Sequence, residues 1–109
     1  MAKKTIKLTT QEDLKVFMSP QRQKLLRHMR MAGEAVTSKA VADMLEISTS
    51  SAQFHIRKLE KLDIVELEHT EKINGILAKF YKIGNINVSI GSNISDDLSN
   101  ERYITMQNL

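Results

Sequence analysis

Ser50, Gln53, Phe54, Arg57 and Lys61 fall mostly three or four residues apart, the spacing that gathers side chains on one helix face. Their types suit recognition rather than bond-making. A carboxamide donates and accepts at once, and a guanidinium donates in a fixed fork. In the DNA major groove, base edges present donors, acceptors and thymine methyls flanked by phosphates. Gln can pair in two places with adenine, Arg with guanine or a phosphate, and a Phe ring can meet a thymine methyl. Taken alone, the same face also fits an ordinary solvated side of an amphipathic helix.

Bond-making chemistry finds no comparable set. His28, His55 and His69 stand far apart in the sequence and on different expected elements. A zinc site needs about four converging N, S or O ligands, and no pair here has ligand spacing. Cys is absent, so there are no disulfides or thiolate ligands. No Gly-rich phosphate loop, nucleophile elbow or pair of catalytic carboxylates occurs, and Asp96-Asp97 suits a helix start better than a metal pair. Met29 and Met44 sit beside core positions, which explains them better than a ligand surface does. The expectation is no enzyme, no metal and no cofactor.

The recognition face needs a helix held by its other side. Ser48 stands where its hydroxyl can cap that helix, and Ala52, Ile56 and Leu59 make the apolar side, with His55 and Leu62 at its edge. Thr37 or Ser38 caps the preceding helix, whose Val41, Ala42 and Leu45 point inward; Glu46-Ile47 makes the turn between the two. Upstream, Pro20 fits the first position of a helix carrying Leu25, Leu26, Met29 and Ala32, which Gly33 can end in a left-handed conformation. A shorter helix from Thr10 to about Met18 comes first, with Thr9 and Glu12 at capping-box spacing. Past Leu62 the period changes to two: Val65, Leu67 and His69 alternate with Glu66, Glu68 and Thr70. Asn74-Gly75 signals a hairpin, and a second strand, roughly Ala78 to Ile83, returns with Tyr81 and Ile83 on one face and Phe80 on the other.

This order predicts a mainly α chain with a small β-hairpin wing (α+β), a winged helix-turn-helix over residues 9–83. Residues 1–8 read as a flexible basic arm. Residues 84–109 stay open between a strand, a helix and a disordered tail. Ile86, Val88 and Ile90 alternate as in an edge strand, Ser95 with Asp96 and Asp97 suits a helix start, and Leu98, Tyr103 and Ile104 form a weak apolar stripe. No clear stop signal ends the chain, which leaves room for a longer protein. At 109 residues, with 41% hydrophobic content, the chain supports one core. No apolar run spans a bilayer and no signal pattern opens the chain, so a cytoplasmic location is expected. Charge is uneven: twelve Lys/Arg face six Asp/Glu in residues 1–62, against four and seven in residues 63–109. The basic half holds the helix pair, as a polyanion-binding face requires.

These residues resemble a family. DLKVFMSPQRQKLLRHM at 13–29, with Pro20 and Arg22, is similar to the opening of ArsR/SmtB-type repressors. TSKAVADMLEIS at 37–48 resembles the first half of their helix-turn-helix. SSAQFHIRKLEKLDIVE at 50–66 matches their signature through Ser50, His55, Ile56, Leu59, Ile64 and Val65. FYKI at 80–83 resembles the returning wing strand. The resemblance covers about residues 10–83 and implies a dimeric transcriptional repressor on double-stranded DNA. Asp63 departs from it, standing where the family usually has Gly. The family's metal sensors carry Cys residues on the helix occupied here by Ser38 to Leu45, or Asp/His pairs near the C-terminus; neither is present.

The resemblance and the exposed face together give the expected contacts. Thr37, Ser38 and Lys39 hold the DNA backbone; Ser50, Gln53 and Phe54 face bases; Arg57 and Lys61 face phosphates or guanine; Thr49 also belongs to the DNA-binding set. Lys72 and Lys79 on the wing reach a flanking minor groove, with Glu68 and Glu71 nearby opposing them. A homodimer on an inverted repeat would join through Leu14, Phe17 and Met18, or Leu98, Tyr103 and Ile104, with any effector unknown. The alternative is a winged-helix protein-interaction module. Zinc, cadmium and arsenite at one equivalent should leave duplex binding unchanged, as the ligand inventory requires. Titration with and without metal checks this, and release by one equivalent would reveal an overlooked site.

Overall fold

The computed structural model describes residues 3–91 and the backbone of residues 102–105. Side-chain caps set its helix starts. Thr10 caps α1 (Gln11–Met18), its hydroxyl accepting from the Asp13 N–H at 3.0 Å. The expected Thr9–Glu12 pair is thus displaced by one residue, because Thr10 takes the extended cap conformation. Ser19 and Pro20 open α2 (Pro20–Ala32), and Gly33 ends it at φ 70°. Thr37 caps α3 (Ser38–Leu45) and Ser48 caps α4 (Thr49–Lys61), each accepting at 3.1 Å from the N–H three residues on.

α4 ends in paired backbone bonds. Ile64 N–H donates to the Leu59 carbonyl and Asp63 N–H to that of Glu60, with Asp63 at φ 62°. Asp carries a left-handed conformation less easily than Gly, but these two bonds hold it there. The chain then enters β2 (Val65–Ile73), turns through Asn74 and Gly75 at φ 51° and 80°, and returns as β3 (Ile76–Ile83). Two left-handed residues are what a two-residue hairpin turn needs. Val36 and Tyr81 exchange backbone bonds of 2.9 and 2.8 Å, which ties the segment before α3 to the base of the hairpin.

Three expectations change at the chain's ends. Residues 4–8 are not part of a frayed arm: Lys4–Leu8 forms β1, parallel to β4 (Ile86–Ile90), with Ile6 opposite Val88 and Leu8 opposite Ile90. A strand near a terminus is ordered when a sheet ties it down, and here that partner lies some eighty residues away. β4 is consequently the middle strand and not an edge, flanked on its other side by β5 (Arg102–Thr105). Tyr103 and Ile104 therefore sit on an extended backbone and not on a helix; Leu98, Ser95, Asp96 and Asp97 lie outside the described residues.

The added sheet also changes Phe17. Expected at a dimer surface, it is instead 0% exposed and among the largest fully buried side chains. α1 packs against both β1 and α4, and these elements bring Phe17 into one core with Leu8, Leu25, Leu26, Ile56 and Leu59. Leu14 is partly buried against the same cluster, while Met18 stays exposed. No helix of the described residues is long and apolar enough to cross a membrane. Phe17→Ala should cost about 3–5 kcal/mol in urea unfolding, as for other buried aromatics. Phe17→Glu should abolish the cooperative transition, and a near-normal midpoint for it would return Phe17 to the surface.

Candidate nucleic-acid interface

α4 has two opposed sides. Ala52, Ile56 and Leu59 are wholly buried, while Thr49, Ser50, Phe54, Arg57 and Lys61 are exposed and Gln53 is half-buried. Phe54 is 54% exposed on a helix whose inward side is fully packed, an unusual place for a bare ring. Lys58 Nζ stands 5.2 Å from its centroid and the His55 ring meets it edge-on at 5.6 Å. Lys58 is absent from the expected set; its i,i+4 spacing from Phe54 is the sequence signal for it. Among the described residues, Arg57 and Lys61 form no ion pair, so a guanidinium and an ammonium charge on one side are left for solvent or a polyanion.

The start of α3 contributes less directly. The Thr37 hydroxyl accepts from Ala40 N–H as the cap, which leaves its own proton to donate. Lys39 Nζ reaches both Asp43 carboxylate oxygens, at 2.7 and 2.9 Å. Such an exposed i,i+4 pair is worth only about 0.3–0.5 kcal/mol, so a phosphate can compete for the ammonium. Ser38 departs from expectation. It is buried, and its hydroxyl donates to Gln53 Oε1 on α4, so it does not face a phosphate.

α4 is held in orientation from the core side. Arg22 Nε donates to the Val16 carbonyl at 2.6 Å, and Nη1 donates to His55 Nδ1 at 2.9 Å. Arg has no acceptor, so Nδ1 must be the unprotonated nitrogen and the His55 proton sits on Nε2. Burial, then the Arg22 charge, holds His55 below the ordinary imidazole value. Arg22 and His55, two of the residues that carry the family resemblance, are thus one hydrogen-bonded pair.

The hairpin sorts charge by face. Residues opposite one another in an antiparallel pair share a face, and faces alternate along a strand. Up to Leu67, opposite Tyr81, the ladder is regular; a bulge between Leu67 and His69 then sets His69 opposite Phe80. The expected simple alternation of Leu67 and His69 is therefore broken, because one extra residue reverses the pattern. Thr70 and Lys79, then Lys72 and Leu77, share the Tyr81 face. Glu66 with Lys82, His69 with Phe80, and Glu71 with Ala78 occupy the other. Glu68 joins the second set through His69 Nδ1–H at 2.8 Å and Lys82 Nζ at 4.0 Å. The acidic residues expected to oppose Lys72 and Lys79 thus lie across the sheet from them. His69 also donates from Nε2 to Glu71 at 2.8 Å and stacks on Phe80 at 4.6 Å. Both ring nitrogens donating requires the charged ring, and the Glu71 bond is the main cause of its raised pKa.

Helices capped into a tight pair, followed at once by a two-stranded hairpin that is tied to the segment before the pair, define the architecture. The fold is a winged helix-turn-helix. Residues 17–68 of it match the family model described as "Helix-turn-helix domain", a span from the end of α1 to the wing's first strand. A solved structure titled "Possible transcriptional regulator", from Methanosarcina mazei Go1, has a similar fold, with a TM-score of 0.55 and 16% sequence identity. The likeness covers 66% of this chain and 62% of that one, so the chain spans less than two thirds of that protein's length. No curated protein matches the chain. Among the described residues, no group of three or more His, Asp or Glu side chains is arranged to hold a metal ion.

The two perturbed histidines of the winged helix should titrate on opposite sides of about 6.5. For His69, whose folded value is raised, the stabilising contribution is complete below 6.5 and is lost as pH rises through the higher folded value. For His55, whose folded value is lowered, it is present above 6.5 and is lost as pH falls toward the lower folded value. Proton NMR titration of the ring Hε1 signals reads both midpoints, and a reversed order would contradict the two hydrogen-bonding patterns.

Proposed function

We propose that this protein is a sequence-specific regulator of transcription that binds double-stranded DNA in the cytoplasm as a homodimer, similar to the ArsR/SmtB-type repressors but without their response to metals. The observation that carries this reading is the row of exposed side chains on α4, in which Arg57 and Lys61 have no described ion-pair partner. The wing supports it by turning Thr70, Lys72 and Lys79 to one face and its carboxylates to the other. In the bound state α4 enters the major groove. Thr49, Ser50, Gln53 and Phe54 meet base edges, Arg57, Lys58 and Lys61 meet phosphates or guanine, and Lys72 and Lys79 reach a flanking minor groove.

One recognition helix reads only a few base pairs, so useful specificity calls for two, about 34–36 Å apart on an inverted repeat. With Phe17 in the core, the dimer surface falls to the region of Met18 on α1 and to the C-terminal segment. An effector would find a groove of about 440 Å³ between the end of α2 and the base of the wing, lined by Met29, Glu34, Glu66, Lys82 and Ile86 among others. One feature favours the rival reading, a protein-docking module: the wing tip exposes Ile73, Ile76 and Leu77.

Selection of bound duplexes from a random pool, followed by salt titration, separates these readings. A DNA regulator should enrich one two-fold symmetric site and lose affinity steeply with salt. Gln53→Ala should cost about 1–3 kcal/mol on that site and relax preference at one base pair. Lys61→Ala should weaken all sequences alike and lower the salt slope by about one. Failure to enrich any site, with salt-insensitive binding of a protein partner, would favour the docking module.

A further inference from the structure

The seam between α3 and α4 contains a hydroxyl where an apolar side chain would pack as well. Ser38 is 9% exposed and is the first residue of α3, but it does not cap that helix, because Thr37 does. Its hydroxyl donates instead to Gln53 Oε1, across fifteen residues of sequence. Gln53 itself belongs to the outward row of α4, between Ser50 one turn before and Arg57 one turn after. A free Gln side chain samples many rotamers and must be ordered before it can read a base. The Ser38 hydroxyl uses one lone pair of Oε1. The second lone pair and both Nε2 hydrogens remain, an acceptor and a donor side by side on one planar group. Adenine offers the complement in the major groove, an N6 donor beside the N7 acceptor.

We propose that Ser38 is the positioning residue for base readout, holding the Gln53 carboxamide in place before DNA arrives so that the base pair facing it is read as adenine. This rests on the DNA-binding reading and deepens it. Ser38 itself touches no DNA: it acts through Gln53 alone. Preorganisation of this kind raises discrimination, because ordering Gln53 in advance removes a cost that only its two bonds to the matched base would otherwise have to meet. Ala is a better helix former than Ser and leaves no unpaired hydroxyl, so Ser38→Ala should fold normally.

Two measurements test this. The first needs no DNA: in nitrogen-15 NMR spectra the Gln53 side-chain amide should show dispersed, ordered signals that collapse to free-amide positions in Ser38→Ala. The second compares wild type, Ser38→Ala, Gln53→Ala and the double variant on the selected site and on sites changed at the Gln53 base pair. Wild type should prefer adenine there by roughly 5- to 150-fold, and Ser38→Ala should reduce this to under about threefold, with mismatched sites bound as before. In the Gln53→Ala background, Ser38→Ala should then have no further effect. Full preference in Ser38→Ala, equal weakening of every site in both backgrounds, or a base other than adenine would overturn the proposal. Dispersed Gln53 signals in a protein that selects no duplex would overturn the DNA-binding reading, and with it the role assigned to Ser38, while leaving the hydrogen bond itself intact.

Discussion

A single guanidinium, that of Arg22, joins three helices: it lies on α2, donates to the Val16 carbonyl on α1, and donates to His55 on α4. His55 sits at the edge where the buried side of α4 gives way to the exposed one. A helix that turned about its axis by one residue would move by about 100°. That turn would carry Phe54 toward the core and Ala52 toward solvent. Hydrophobic burial of Ala52, Ile56 and Leu59 drives α4 against the core but is not directional. The Arg22 bond is directional, and it needs the neutral ring that burial and the nearby positive charge both favour. Rotation of α4, and with it the identity of the residues offered outward, is set where packing and this bond agree.

The wing applies a comparable constraint with different means. Its two-residue turn fixes the register, and the bulge between Leu67 and His69 inverts the alternation partway along. Without the extra residue, His69 and Glu71 would share the Tyr81 face with Lys79, and Lys72 would pass to the other face. With it, the His69 ring is clamped between Glu68 and Glu71 on one face, Lys82 stands beside Glu68, and Phe80 covers the ring. Fields from the two faces are then distinct within one thin hairpin, although salt at 0.15 M screens such exposed charges beyond about 8 Å. The basic face is effective only at contact.

Much of the helix pair is legible in local pattern, because its signals lie within a few residues of the elements they control. Thr37 caps α3 and Ser48 caps α4, Pro20 and Gly33 bound α2, and Asn74-Gly75 turns the wing. Apart from the one-residue shift of the α1 cap to Thr10, the main differences between pattern and structure are long-range. Lys4–Leu8 has the alternation of a strand, but its partner at Ile86–Ile90 cannot be found by local inspection. Phe17 is surplus to a helix pair alone, and only the sheet that helps cover it makes it core. Ser38 has the position of a phosphate ligand at a helix start, yet the closeness of α3 and α4 turns it inward to Gln53. Bulges leave almost no sequence signal, so the sorting of the wing's charges is legible only in three dimensions.

The central claim, that one side of α4 and one face of the wing together meet a duplex, is tested most directly at the lysine side chains. Reductive methylation with carbon-13 gives each lysine its own NMR signal, and a short duplex can be titrated at low salt. Signals of Lys58 and Lys61 on α4 and of Lys72 and Lys79 on the basic wing face should shift together. Those of Lys82, across the same hairpin beside Glu68, and of Lys24 on α2 should stay in place. Shifts centred on Lys82 or Lys24, or spread evenly over all lysines, would contradict the account.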